Sequence, residues 1–145
     1  METGSSGLEV LDEAECVSLL AAGEVGRVGI VIDGQPLVFP VNYVFEGNSI
    51  IVHTDQGTML GGASLGLVAF EVDSFDAPSR SGWSVMVQGV GHDVTDALDH
   101  TSEHLQTVVL SPWAPGPRPR LLRIDARTIT GRRFGTAPAG DGDAR

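Results

Sequence analysis

Thr54 and Thr58 bracket a turn that contains Gly57. Two hydroxyls and the exposed backbone N–H groups of such a turn can cradle an anion. Asn42 and Tyr43 put two polar tips on an otherwise apolar stretch, where they either meet a ligand's polar edge or face water. Trp83 and Trp113 either stack on a planar ligand or fill core, because tryptophan buries a large area in any fold. His100-Thr101-Ser102-Glu103-His104 spells the H-x-x-E-H pattern of one metalloprotease class, and two histidines so spaced on a helix can share a zinc ion. No obvious third ligand follows, so the residues favour a solvated polar face opposite Leu98 and Leu105. Glu71 and Asp73 form a carboxylate pair of the kind acid–base chemistry uses. Strand alternation nevertheless turns both to solvent and Phe70 and Val72 inward. Cys16 sits on the apolar face of a helix; a reactive thiol wants exposure and a nearby base, so this one reads as buried packing.

Charge sets the outer bounds. The chain has 145 residues, 19 acids and 9 bases, for a net charge of −10. Nucleic acid and anionic membrane both repel such a protein. All nine bases are arginine, which rules out a lysine Schiff base and a P-loop lysine. Six of them (Arg118, Arg120, Arg123, Arg127, Arg132 and Arg133) fall within residues 118–133, where Asp125 is the only acid. Salt bridges to the acidic body or to a partner protomer are the plainer account; an anion site is the sharper one. The single cysteine cannot form an internal disulfide and fits a reduced, cytoplasmic setting. No apolar run reaches the roughly 18 residues of a membrane span, and residues 1–7 lack the basic-then-apolar order of a secretory signal.

Something must position these groups, and the pattern is mostly strand. Residues 1–10 read as a flexible arm, residues 11–134 as one domain and residues 135–145 as a disordered tail. Asp12 and Glu15 make a capping pair for a helix over 12–22, with Cys16, Leu19 and Leu20 on its apolar face and Gly23 as its stop. Strands follow over 25–32 and 35–45, split by the hairpin signal Asp33-Gly34, with Pro36 and Pro40 restricting the second to an edge or bulged position. Further strands are expected over 49–54, 67–75, 83–94, 121–124 and 128–134. Residues 55–65 read as a loop with a helical turn or two, and 97–110 as a second helix. The fold class is mainly β: a six- to seven-stranded antiparallel split β-barrel with two or three short helices.

The ordered set of motifs resembles the pyridoxamine 5′-phosphate oxidase-like family, the flavin-binding split barrels, in its small actinobacterial-type branch. The resemblance is carried by Val25-Gly26-Arg27-Val28, Gly34-Gln35-Pro36, Phe39-Pro40-Val41-Asn42-Tyr43 and His53-Thr54-Asp55-Gln56-Gly57-Thr58. Phe70-Glu71-Val72-Asp73, Gly82-Trp83-Ser84-Val85-Met86-Val87-Gln88-Gly89, Trp113-Ala114-Pro115-Gly116, Arg123-Ile124 and Ile129-Thr130-Gly131-Arg132 continue it, over roughly residues 10–134.

The resemblance implies a homodimer with FMN in grooves between the protomers; a barrel with Pro-marked edges and a Trp-bearing strand is itself expected to bury more than about 2,000 Å² in such a dimer. It implies that Pro40, Val41, Asn42 and Tyr43 border the isoalloxazine ring, that Thr54 and Thr58 face the phosphate, and that Trp83 and Ser84 lie on a groove strand. The family pattern has a base before that threonine and a lysine further on. Here His53 and Met59 stand at those places, so the phosphate loses a charge-assisted partner. The implied activity is that of an FMN-dependent oxidoreductase. A deazaflavin-dependent reductase on the same barrel, or a non-enzymatic binding protein that has lost FMN or takes another planar ligand such as haem, are the competing readings.

Overall fold

A computed structural model of the 145-residue chain describes residues 8–54, 64–94 and 120–135. The elements run β1 (Glu9–Val10), α1 (Glu13–Ala22), β2 (Val25–Ile32), β3 (Gln35–Glu46), β4 (Ser49–Thr54), β5 (Ser64–Asp76), β6 (Ser81–Asp93) and β7 (Arg120–Phe134). Every pairing is antiparallel. The sheet order is β1-β7-β4-β3-β2-β5-β6, and β6 pairs with β7 as well, so β2 to β7 close into a ring. This is the expected mainly β split barrel.

Local chemistry explains the tight corners. Ile32 pairs with Gln35 across Asp33 and Gly34, whose φ angles are 53° and 77°. Glu46 pairs with Ser49 across Gly47 and Asn48, at 62° and 67°. Two successive positive φ values mark the hairpin turn whose twist matches that of the strands. Pro36 and Pro40 fall where β3 has β2 as its partner, while its pairing to β4 begins only at Asn42. The prolines therefore cost no β4 bond, which is how β3 carries them without being an edge throughout.

β7 departs from the expected pair of strands over 121–124 and 128–134. It is one strand of 15 residues. Against β6 its register slips between Gln88–Thr128 and Gly89–Ala126, which leaves Arg127 as an extra residue. This bulge switches the strand's inward set from Leu122, Ile124 and Ala126 to Ile129. A Cβ on Gly89 would meet the Asp125 carbonyl oxygen, so the close approach at the bulge needs glycine there.

The barrel interior is filled by Val28, Tyr43, Ile50, Val52, Phe70, Val85, Val87, Leu122 and Ile124, all buried. Tyr43 and Phe70 meet edge to face with centroids 4.7 Å apart. Helix α1 packs on β7, β3 and β6 and adds Cys16 and Leu20 to the same core. Full burial of a side chain such as Leu20 contributes about 1.5–3 kcal/mol. Burial, then the acids Asp12, Glu15 and Glu13, raise the Cys16 thiol above its ordinary range, so it is a packing residue.

Several expectations need adjustment. Glu9 and Val10, placed in the flexible arm, pair with Arg133 and Arg132 as β1. β5 begins at Ser64, inside the span read as loop. One α-helix is present among the described residues. The second expected helix, the H-x-x-E-H pair, Thr58, Met59 and Trp113 lie outside the described residues, and among those described no group of ligands could hold a metal ion. No helix of the described residues is long and apolar enough to cross a membrane.

The helix start is as the capping pair requires: Asp12 is the N-cap and its Oδ1 accepts from the Glu15 amide at 2.9 Å. Asp12→Ala is expected to cost about 1 kcal/mol. Thermal unfolding of the two proteins checks it, with a drop of about 3 °C expected for a domain of this size.

Candidate functional site

Adjacent strand residues point to opposite faces, and this divides the residues nominated from the sequence. On β3, Val41 and Tyr43 turn inward and are buried, while Pro40 and Asn42 lie on the outer face. The Tyr43 hydroxyl donates to the Leu20 carbonyl at 2.6 Å, and burial pushes its pKa up to about 12. Its polar tip therefore fastens α1 to the barrel rather than facing outward beside Asn42. On β6, Trp83 packs against the barrel core and Ser84 takes the opposite face. Asn42 pairs in register with His53, His53 with Leu121, and Thr54 with Arg120. The backbone thus brings the Asn42 strand, the end of β4 and the first residue of the arginine-rich strand side by side.

The outer face also holds a cluster that carries charge. Arg27 on β2 pairs with Pro40 on one side and Glu71 on the other. Its Nη1 donates to Glu71 Oε1 at 2.8 Å and to Asp73 Oδ2 at 3.2 Å. Asp73 pairs with Ser84, and Glu71 with Met86. Extending the β2–β5 register two residues from Arg27–Glu71 sets Val25 across from Asp73, and Val25 itself pairs with Asn42. Asn42, Val25, Asp73 and Ser84 therefore form one row across four strands. At about 4.8 Å per strand, Asn42 and Ser84 are about 14 Å apart along the sheet. Arg27, Glu71 and Asp73 lie between them.

Glu71 and Asp73 do point outward, as alternation requires, but they are not merely solvated. The Asp73 side chain keeps 15% of its accessible surface and the Glu71 side chain 34%. Desolvation, then a hydrogen bond and repulsion from Asp73, raise the Glu71 carboxyl to about 7, against the opposing pull of Arg27. The cluster thus offers donors on a guanidinium, acceptors on two carboxylates and a proton that exchanges near neutrality. Local sequence pattern gives Arg27 no role and turns the carboxylates to water. The missing signal was the β2–β5 register, which no local pattern supplies.

The arginine-rich segment divides. Arg133 reaches Glu15 at 2.9 Å and Glu9 at 3.8 Å, tying β7 to α1 and β1. Arg123 lies 3.1 Å from Asp125, which also receives the Ser49 hydroxyl at 2.9 Å. These are the salt bridges of the plainer account. Arg127 and Arg132 are exposed. A depression of about 340 Å³ beside the bulge is lined by Glu13, Asn48, Arg127 and Thr128, and none of the nominated site residues lines it.

The raised Glu71 carboxyl has a direct consequence for stability. A carboxyl whose folded pKa lies above its unfolded value of about 4.5 favours the fold while protonated. That stabilisation is complete below the unfolded value and is lost as pH climbs through about 7. The unfolding midpoint of the wild type is expected to fall between pH 5.5 and pH 8. Glu71→Gln should flatten that fall and be the more stable protein at pH 8. Thermal melts of both across this range check it.

Comparison with known proteins fits the architecture. Residues 12–133 match the pyridoxamine 5′-phosphate oxidase family. An uncharacterized protein of Mycobacterium tuberculosis is 30% identical over 130 residues, covering 86% of this chain and 84% of its own. The FAD-binding protein of Mycobacterium smegmatis superposes with a TM-score of 0.65 at 27% identity, over 88% of this chain and 98% of that one. An FAD-binding protein of Mesorhizobium loti gives 0.70 at 26% identity, over 87% and 97%. A closed ring of six antiparallel strands, fastened by one N-terminal helix and matched to this family from the helix cap to the end of β7, leaves one assignment: the chain belongs to the pyridoxamine 5′-phosphate oxidase family.

Proposed function

We propose that this protein is a flavin-binding oxidoreductase that works as a homodimer, with FMN as the flavin. The observation that carries the reading is the shared outer face, where Pro40, Asn42 and Ser84 surround Arg27, Glu71 and Asp73 within about 14 Å. The donor set suits the group. A flavin ring presents carbonyls and an N–H along one edge of a flat apolar body. The Asn42 amide and Ser84 hydroxyl both donate and accept, and the exposed Val38 and Met86 supply apolar contact on the same face. The two FAD-binding relatives at 26–27% identity support the flavin class.

In this reading the end of β4 serves the phosphate. The resemblance assigns His53, Thr54, Thr58 and Met59 to it, with Met59 in place of a lysine. Arg120, the register partner of Thr54, is the proposed replacement cation. The outer surface of a barrel does not exclude water by itself; a second copy laid over it does, which is the reason for proposing a dimer. When bound, the flavin supplies the redox chemistry, and the chain binds it, orients it and keeps water out. A cytoplasmic setting goes with the reduced, buried Cys16.

The freshly purified protein is expected to show flavin absorption in the near-UV and blue, and to scatter light as two chains of 15.2 kDa. Titration of stripped protein with FMN, FAD, a deazaflavin and haem separates the readings, with FMN expected to bind tightest. Thr54→Val should weaken FMN binding. Met59→Lys should strengthen it by roughly 1–2 kcal/mol, a gain that shrinks as salt is added. A protein that takes up haem or a deazaflavin but no flavin would overturn the assignment. Equal FMN affinity in the wild type and both variants would remove residues 53–59 from the site.

A further inference from the structure

One guanidinium on the outer face serves two carboxylates. Arg27 uses the same nitrogen, Nη1, for Glu71 and for Asp73. The cluster therefore has one negative charge in excess when both acids are ionised. The groups facing it from the neighbouring strands are uncharged: Pro40 and Asn42 on β3, Ser84 and Met86 on β6. The next charge on this face among the described residues is Arg132 on β7, exposed and across from Ser84.

Around the cluster the face is apolar and open. Val38 and Leu67 are each 71% exposed, Val31 63% and Met86 40%. Val38 belongs to β3, Val31 to β2, Leu67 to β5 and Met86 to β6, so the patch spans four adjacent strands. An apolar patch of this extent marks an interaction surface. A net negative charge at its border opposes covering the face, because an unpaired charge is costly to bury. The cluster becomes neutral on gaining a single proton.

We propose that this face receives a second copy of the chain and that association takes up protons at the Glu71–Asp73 pair, up to one for each chain. The inference rests on the homodimer reading above and goes beyond it, because it makes the dimer's strength depend on pH through a named cluster. A second copy suits this face better than an acidic or basic partner. The strands beside the cluster present uncharged side chains, with Arg132 the next charge beyond them, and two copies related by a two-fold axis meet with identical patches. Two neutral clusters can be buried together, whereas two anionic ones repel. The elevated Glu71 carboxyl agrees with this: the isolated chain already holds that proton more firmly than a free side chain does, and covering the face removes more water.

The test is sedimentation equilibrium of the full-length protein at pH 6 and pH 8, with wild type and Glu71→Gln. The wild-type dimer is expected to be at least about tenfold tighter at pH 6, since proton uptake on association favours it there. Glu71→Gln should remain a tight dimer at pH 8 and show little pH dependence. Titration calorimetry of dimer dissociation in two buffers of different ionisation heat should register protons released by wild type and none by the variant. Val38→Asp serves as the second variant: it should give monomers at both pH values while keeping the far-UV spectrum of the fold. A wild-type dimer of equal strength at both pH values overturns the proton linkage and leaves the dimer standing. A dimer unaffected by Val38→Asp overturns the choice of face. A wild-type monomer at both pH values overturns this proposal and the dimer reading together.

Discussion

β7 has to close the barrel, and it can do so only by serving different partners along its length. Its first residues pair with β4 and its last with β1, while β6 runs along the other edge through both. A path from Leu121 through the register partners His53, Asn42 and Val25, carried to Asp73 by extending the β2–β5 register two residues past its last pair, passes to Ser84 and returns to β7 at Arg132. The path comes back eleven residues from where it started. That stagger is what a closed sheet of tilted strands requires. It fixes which residues become neighbours on the outer face. The bulge at Arg127 makes the closure possible, because a strand this long needs a local change of twist and of inward parity to stay packed on both sides.

The parts of the fold legible in the sequence are those set by short-range chemistry. The capping pair Asp12 and Glu15, the hairpin Asp33-Gly34 and the turn after Glu46 each act over a few residues and stand where their types require. β7 was harder. Asp125, Ala126 and Arg127 interrupt the alternation, and an interruption inside one bulged strand looks the same as a turn between two. Only pairing to β6 distinguishes them, and that partner lies about forty residues away.

The candidate site was legible to a lesser degree, for two separate reasons. Asn42 and Tyr43 both have polar tips, yet neighbours on a strand cannot share a face. Tyr43 spends its hydroxyl on Leu20, deep in the barrel, and only Asn42 stays with Pro40. The same rule separates Trp83 from Ser84. Alternation turns Glu71 and Asp73 outward, but outward does not mean solvated. Their partner Arg27 is 44 and 46 residues distant in sequence, and no periodicity in either segment announces it.

What gives this outer face its chemistry is the mismatch between its charges. A fully matched ion pair at this position would be inert to pH, and an apolar row would simply associate. Two carboxylates held by one guanidinium nitrogen do neither. On the uncovered face the extra charge already raises the Glu71 carboxyl, because both acids are partly desolvated. Each step that removes water from the face raises the cost of keeping both acids ionised, until protonation is cheaper than repulsion. Whatever covers the face, whether a ring, a second chain or both, must therefore settle the protonation of Glu71 and Asp73 as it binds. Arg27 keeps the two acids on one surface, and Tyr43, buried beneath the same sheet, fixes the helix that steadies those strands from within. Inward and outward residues of β3 thus contribute to one arrangement from opposite faces, the first by rigidity and the second by contact.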